Sequence, residues 1–340
     1  MVIINVSFII PVYNRPEEIN ELLESFINLD GNYDFEIVII EDGSTNCSDK
    51  IISCYSNDLN ISYYTKNNTG PGDSRNFGMK KAKGNYFIIL DSDCILPKNY
   101  LFNFFTNINH KYVDCFGGVD AAHHSFTNFQ KAVNFTMTSI ITTGGVRGGR
   151  SKYKSFQARS FNMGISKKTF ELTGGFGNIH PGEDPDLSLR ISKLDLNSEL
   201  YNNVKVYHKR RVNVIAFFNQ VFKFGMVRPI INNWHPDSNK IIFWFPSFVT
   251  GFLILSLILF FFKIYIPLYL VLLYTLLIFF NSLISNKSIV VGLYSIFTSI
   301  IQFIGYGLGF IISNFILLSS KRDIKDKFPS YFFKIKSNEK

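Results

Sequence analysis

Gly84-Asn85-Tyr86-Phe87-Ile88-Ile89-Leu90-Asp91-Ser92-Asp93 decides the fold of this 340-residue chain. The apolar run reads as a buried strand, and it ends in two carboxylates one residue apart. At the carboxyl end of a parallel strand such a pair can hold a divalent cation that carries phosphate oxygens, which is chemistry for a nucleotide-activated substrate. Taken alone, the same three residues also serve as a strand-ending turn with solvated acids, so the reading rests on what surrounds them.

Upstream, strands and helices alternate. Residues 6–12 form an apolar strand closed by Pro11 and the turn Tyr13-Asn14-Arg15-Pro16. Residues 17–29 place Ile19, Leu22, Leu23, Phe26 and Ile27 at helical spacing. A second strand over 35–40 runs into Asp42-Gly43-Ser44-Thr45. A helix over 48–55, a strand over 61–64 and a helix over 73–82 follow. This βαβαβαβ order with continuously apolar strands predicts an α/β fold whose mostly parallel sheet is covered on both faces. Beyond Pro97 the pattern loosens: a helix is expected over 100–108, then scattered strands. The glycine-rich stretch 143–150 reads equally as a loop folding over a phosphate and as a plain connector.

Residues 241–318 carry only Lys263 and Lys287 as charges. That far exceeds the roughly 20 apolar residues needed to cross a bilayer. Three apolar segments are expected, over 241–262, 264–285 and 289–318. Three crossings would put the basic tail 319–340 on the far side, against the charge bias, whereas two crossings plus an interfacial segment would keep it on the near side. Gly305-Tyr306-Gly307-Leu308-Gly309 fits close helix packing, a kink or a lipid-facing spacer. Residues 212–227 read as an amphipathic helix at the interface. The net charge of +9 comes partly from Lys205, Lys209, Arg210, Arg211, Lys223, Arg228 and Lys240 before the apolar region, and from Lys321, Arg322, Lys325 and Lys327 after it. Flanking a membrane segment, these residues point to a lipid bilayer as partner rather than nucleic acid. Cys47, Cys54, Cys94 and Cys115 fit neither a zinc spacing nor a disulfide framework. Met1 leads directly into the first strand, so the expected location is the cytoplasmic (inner) membrane, multi-pass, with the soluble domain on the cytoplasmic side.

Polar clusters sit where the strands end: Pro11 to Asn14, Glu41 to Ser44, Asn67 to Asn76, and Asp91-Ser92-Asp93. Asp42 suits a base or ribose edge, or a turn. In Gly70-Pro71-Gly72-Asp73-Ser74-Arg75-Asn76 small residues permit close backbone approach, and Arg75 offers a fork of donors to an anion. Further on, Glu183-Asp184 stands before a helix expected over 187–194, where acids also suit capping; of these, Asp186 is expected to be the cap.

Together these stretches resemble the family 2 glycosyltransferases of GT-A fold. The matching residues are Phe8-Ile9-Ile10-Pro11-Val12-Tyr13-Asn14, Val38-Ile39-Ile40-Glu41-Asp42-Gly43-Ser44, Gly70 to Gly78 with its Arg75-Asn76 pair, and Leu90-Asp91-Ser92-Asp93. Asp73 departs from the resemblance, because the family usually carries a small residue there. The resemblance implies a nucleoside-diphosphate sugar donor, with donor contacts from Pro11, Tyr13, Asn14, Asp42, Arg75, Asp91 and Ser92. It implies a divalent cation, Mg²⁺ or Mn²⁺, on Asp93 supported by Asp91. His208 is a third ligand, a phosphate donor or a core histidine. Asp184 is the implied base of an inverting transfer, with Glu183 beside it. The lipid-facing segments suggest a membrane-associated acceptor, such as a lipid-linked saccharide or polyprenyl phosphate, used for surface glycans. A processive polysaccharide synthase is the alternative, although Asn219 to Gly225 lacks the Arg-Trp of the processive signature. A catalytically silent scaffold is another, against which the intact Asp42, Asp93 and Asp184 argue. The expected division is 1–210 catalytic domain, 211–240 interfacial segment, 241–318 transmembrane region of two to three helices, and 319–340 tail.

Overall fold

The computed structural model describes residues 3–123, 125–145, 157–209, 211–319 and 322–333. Most of the glycine-rich stretch, residues 146–150, and the end of the basic tail, 334–340, lie outside the described residues.

In chain order the elements are β1 (Val6–Val12), α1 (Pro16–Ile27), β2 (Phe35–Asp42), α2 (Asp49–Cys54), β3 (Ile61–Lys66), α3 (Pro71–Lys81), β4 (Tyr86–Leu90), β5 (Cys94–Ile95), α4 (Tyr100–His110) and β6 (Cys115–Ala121). They continue with α5 (Asn128–Thr138), α6 (Ile140–Thr143), β7 (Asn162–Ser166), α7 (Lys167–Thr173), α8 (Glu183–Lys193) and β8 (Ser198–His208). Last come α9 (Val214–Trp234), α10 (Phe245–Phe261), α11 (Ile266–Asn286) and α12 (Ile289–Ser319). The chain forms two compact units.

The first unit holds residues 3–121, 157–208 and 330–333. Its sheet runs β3-β2-β1-β4-β7-β6-β8-β5. The β3-β2-β1-β4 half is parallel, as the βαβ order requires, so four strands release their polar ends at one edge. β7 enters antiparallel to β4, with Asn162 opposite Leu90. β8 pairs parallel with β6 and ends antiparallel to β5, with His208 opposite Cys94. Alternation along β1 explains why both faces are covered. Phe8 and Ile10 face α1 and α4 with Leu22, Phe26, Leu101 and Phe104, while Ile9 faces the opposite layer with Met79, Leu187 and Ile191. Each such fully buried side chain stabilises the fold by about 1.5–3 kcal/mol.

The second unit holds residues 122–123, 125–145, 209, 211–319 and 322–329. Relative to the expected division at residue 210, the described residues of 122–145 group with the second unit and 330–333 with the first. The cause of the first departure is pairing with α12, about 160 residues further along the chain. The Thr136 hydroxyl lies 2.7 Å from that of Thr298, and Gln302 Nε2 donates to the Thr142 carbonyl at 3.2 Å. A segment that makes such buried bonds with α12 belongs with the apolar helices.

Among the described residues four helices are long and apolar enough to cross a membrane: Val214–Trp234, Ile241–Phe261, Ile266–Asn286 and Ile289–Ser319. The three expected segments are all present, and α9 makes a fourth candidate where an interfacial helix ending at residue 227 was expected. Its buried residues include Phe217, Val221 and Gly225. The Gly305–Gly309 stretch turns out to be a packing face. A Cβ on Gly309 would strike the Phe222 carbonyl and one on Gly225 the Tyr306 carbonyl, while one on Gly307 would press on the Thr250 hydroxyl at 2.8 Å and the Pro246 carbonyl at 3.0 Å. At Gly225 and Gly309 backbone meets backbone, so only glycine fits.

Candidate active site

The polar ends of the parallel strands are tied to one another. Asn14, two residues beyond β1, is in a left-handed conformation (φ 52°), and its Oδ1 accepts from the amides of Thr45 and Asn46 at 2.8 and 2.9 Å, joining the loops after β1 and β2. Glu41, fully buried, accepts from the Ser44 and Tyr63 hydroxyls and the Ser48 amide. Asp42, also buried, accepts from Lys66 Nζ (2.6 Å) and from the amides of Thr69 (3.0 Å) and Gly70 (2.9 Å). Its carboxylate therefore fixes the loop that follows β3. Pro11 is half-buried within β1, whereas the Tyr13 ring, 52 % exposed, stands free at the strand end.

Gly70 caps α3 with φ 95°, and Pro71 takes the first helical position, where its missing N–H costs nothing. The helix thus starts two residues before the expected position and carries Arg75 in its second turn. Arg75 is 3 % exposed and sits over the Phe176 ring at 5.2 Å. One arm of its guanidinium donates to Asp91 at 2.7 Å and the other to Glu183 at 2.9 Å. His180 Nδ1 lies 3.1 Å from Glu183 Oε1. Burial opposes ionisation of Glu183, but His180 and then Arg75 outweigh it and hold the carboxyl down at about 2. Such a weak base keeps its charge and positions its neighbours.

Asp93 is gripped from two sides. Arg15 Nη1 is 2.5 Å from Oδ2, and His208 Nε2 is 3.1 Å from Oδ1 and 3.9 Å from Asp91 Oδ2. Burial pushes the Asp93 carboxyl up, yet His208 and Arg15 more than offset this and leave it well below the usual carboxylate range. The β5–β8 register brings His208 here, and the Phe161 ring stacks on it at 4.9 Å. Ser92, between the two acids, is buried.

These residues fit a divalent cation. Asp93 Oδ1 is buried without a hydrogen-bond partner among the described residues, the His208 contact being close but poorly aligned, and His208 Nδ1 is likewise unpaired. Cys94 Sγ also lies near Asp93 and His208, with ligand atoms within 4.8 Å of one another. Burial pushes that thiol well above its ordinary pKa, and it donates to the Phe161 carbonyl at 3.4 Å. A protonated sulfur is a poor ligand for Mg²⁺ or Mn²⁺, so the Asp91, Asp93 and His208 set is the better match.

Asp184 is half-buried in the first turn of α8, with Oδ2 3.6 Å from Arg159 Nη1. α8 starts four residues earlier than expected, at Glu183, with Gly182 as its cap. Asp186, expected to cap, instead accepts from Arg190 Nε and Nη2 at 3.0 and 2.9 Å. Arg75, Asp91, Asp93, His208 and Glu183 thus form one continuous chain of contacts, next to Asp184 in sequence, while Asp42 is bonded to the Gly70 turn that caps α3. Sequence reasoning missed Arg15, Lys66, Arg159 and His180. His180 stands three residues before Glu183 and Arg15 adjoins Asn14, so sequence proximity was the only clue.

Residues 7–171 match the family model described as glycosyl transferase family 2. An uncharacterized glycosyltransferase of Rickettsia bellii is 42 % identical over 96 residues, covering 28 % of this chain and 14 % of its own length. The poly(ribitol-phosphate) beta-N-acetylglucosaminyltransferase TarS of Staphylococcus aureus is 38 % identical over 98 residues, 28 % of this chain and 17 % of its own. The chain therefore spans only about a seventh of the length of the first of these relatives and about a sixth of the second. Among solved structures, the mannosyltransferase PcManGT of Pyrobaculum calidifontis, in complex with GDP-Man and Mn²⁺, shares the fold with a TM-score of 0.60 at 14 % identity, covering 92 % of this chain and 88 % of its own.

Proposed function

Starting from a chain whose residues 7–171 are a glycosyl transferase family 2 domain of GT-A-like fold, we propose that it moves a sugar, with inversion, from a nucleoside-diphosphate donor to a membrane-associated acceptor such as a lipid-linked saccharide or polyprenyl phosphate. The observation that carries this reading is the linked set Arg75, Asp91, Asp93, His208 and Glu183, gathered at the carboxyl edge of the parallel strands.

In this reading Asp91, Asp93 and His208 hold a divalent cation, Mg²⁺ or Mn²⁺, which when bound supplies positive charge to the donor diphosphate. Pro11, Tyr13, Asn14 and Ser92 stand at the same edge for the nucleotide, with Asp42 holding the loop beside them. Asp184 takes the proton of the attacking acceptor hydroxyl; Glu183 cannot, because His180 and Arg75 keep it ionised and occupied. Arg75, locked between two carboxylates, fixes Asp91 and the start of α8 relative to each other. Four apolar helices support a membrane protein, and an acceptor held in the bilayer follows from that. The cytoplasmic membrane, with the catalytic unit on the cytoplasmic side, is the location in which nucleotide-activated donors are available to it.

A panel of nucleoside-diphosphate sugars with Mn²⁺ or Mg²⁺ tests this. One donor is expected to raise the unfolding temperature and to release nucleoside diphosphate when membrane lipid extract is supplied. Asp184→Asn should keep donor binding and lose turnover by about 10²–10⁴-fold; unchanged turnover removes Asp184 from the mechanism. Proton NMR of the product reads the anomeric configuration, and retention would overturn the inverting step.

A further inference from the structure

We propose that residues 330–333 are a positioning strap for this site, with Phe333 as its key residue, and that the chain therefore crosses the membrane an even number of times between His208 and Ser330. The positioning role rests on the active-site reading above; the crossing number does not.

The strap touches both sides of the Arg75–Glu183 pair. On one side the Phe333 ring lies so close over Gly70 that a Cβ there would strike it. Gly70 caps α3, which carries Arg75, and its amide is one of the two bonded to Asp42. On the other side Ile179 pairs with Phe332 in an isolated antiparallel bridge. The His180 amide donates to the Tyr331 carbonyl at 2.9 Å, and Asn178 Nδ2 donates to the Phe333 carbonyl at 2.8 Å. The His180 and Phe333 ring centres are 6.2 Å apart. His180 in turn contacts Glu183, whose other partner is Arg75. A four-residue segment thus holds the first turn of α3 and the corner before α8 at the separation that lets Arg75 bridge Asp91 and Glu183.

The same contacts fix parity. Residues 178–180 and 330–333 belong to one unit and share main-chain hydrogen bonds, so they lie on one side of any membrane. All four candidate spans fall between residues 208 and 330. Four or two crossings satisfy this, and three do not.

Three measurements on the full-length chain in membranes or detergent test the proposal. Reporter fusions at the two termini should score on the same side; opposite sides overturn the strap whatever the enzyme does. Hydrogen exchange without donor should find the His180 amide protected, with protection lost in Phe333→Ala, and a freely exchanging amide in the unmodified chain overturns it too. Phe333→Ala should weaken donor affinity five- to tenfold with kcat reduced less, Phe333→Leu should restore most of it, and the unfolding temperature should move little. Unchanged donor KM in Phe333→Ala overturns the positioning role. If no donor binds the unmodified chain, the glycosyltransferase reading fails, and the first two measurements still decide the strap.

Discussion

Glu183 is the residue whose behaviour separates support from catalysis. Its folded-state pKa, held at about 2, lies below the ordinary 4.5. Its ionised partnership therefore stabilises the fold fully above about pH 5 and is lost as pH falls through 4.5 towards 2. Unfolding of Glu183→Gln and the unmodified chain should differ most at pH 7, with the gap shrinking below 4.5 and closing only near pH 2; a constant gap would mean the carboxylate is not the stabilising form. Removing the partner is harsher. Arg75→Ala leaves Glu183 and Asp91 without their shared cation in a buried site and should cost about 3–5 kcal/mol in denaturant melts. Arg75→Lys should recover only part, because one ammonium cannot replace a fork that reaches two carboxylates. The cysteines offer a check of burial: Cys47 and Cys54 are exposed, whereas Cys94 and Cys115 are buried and burial pushes the Cys115 thiol up to about 12. A maleimide should label two thiols in the native chain and four after unfolding.

At the scale of elements, the four parallel strands were legible because each is a short, continuously apolar run punctuated by proline, glycine or acids. The start of α3 was not, since Gly70-Pro71-Gly72 looks like a loop until the positive φ of Gly70 and the first-turn position of Pro71 are seen together. The local triplet Asp91-Ser92-Asp93 announced itself, but its partners did not: Arg15 is 78 residues from Asp93, and nothing in the intervening sequence encodes that pairing. Helix α5 escaped because its partner face, Thr298 and Ser299, lies in an apolar helix more than 160 residues away. The glycine face of α12 yields a direct test. Gly225→Ala places a methyl group against the Tyr306 carbonyl and Gly309→Ala one against the Phe222 carbonyl, neither of which can swing aside. Each should destabilise the helical unit by about 1–3 kcal/mol, read as a lower unfolding temperature in detergent. Thr136→Val should cost about 1 kcal/mol by leaving the hydroxyls of Thr298 and Ser299 short of a partner.

For the molecule as a whole, chelation is the broadest test: EDTA should abolish sugar transfer, and Mn²⁺ or Mg²⁺ should restore it, with Asp93→Ala insensitive to either. Full activity in EDTA would refute the metal role. The order of the chain adds a further consequence. Ribosomes make the parts of the α/β unit in sequence, and residues 330–333 emerge only after α9 to α12 have been translated. Until then the corner at His180 lacks its main-chain acceptor and the Gly70 turn lacks its cover. On the proposed strap, a nascent polypeptide whose last helices are still being made is unfinished at the place where donor would be held, so competence would come only once those helices have been translated.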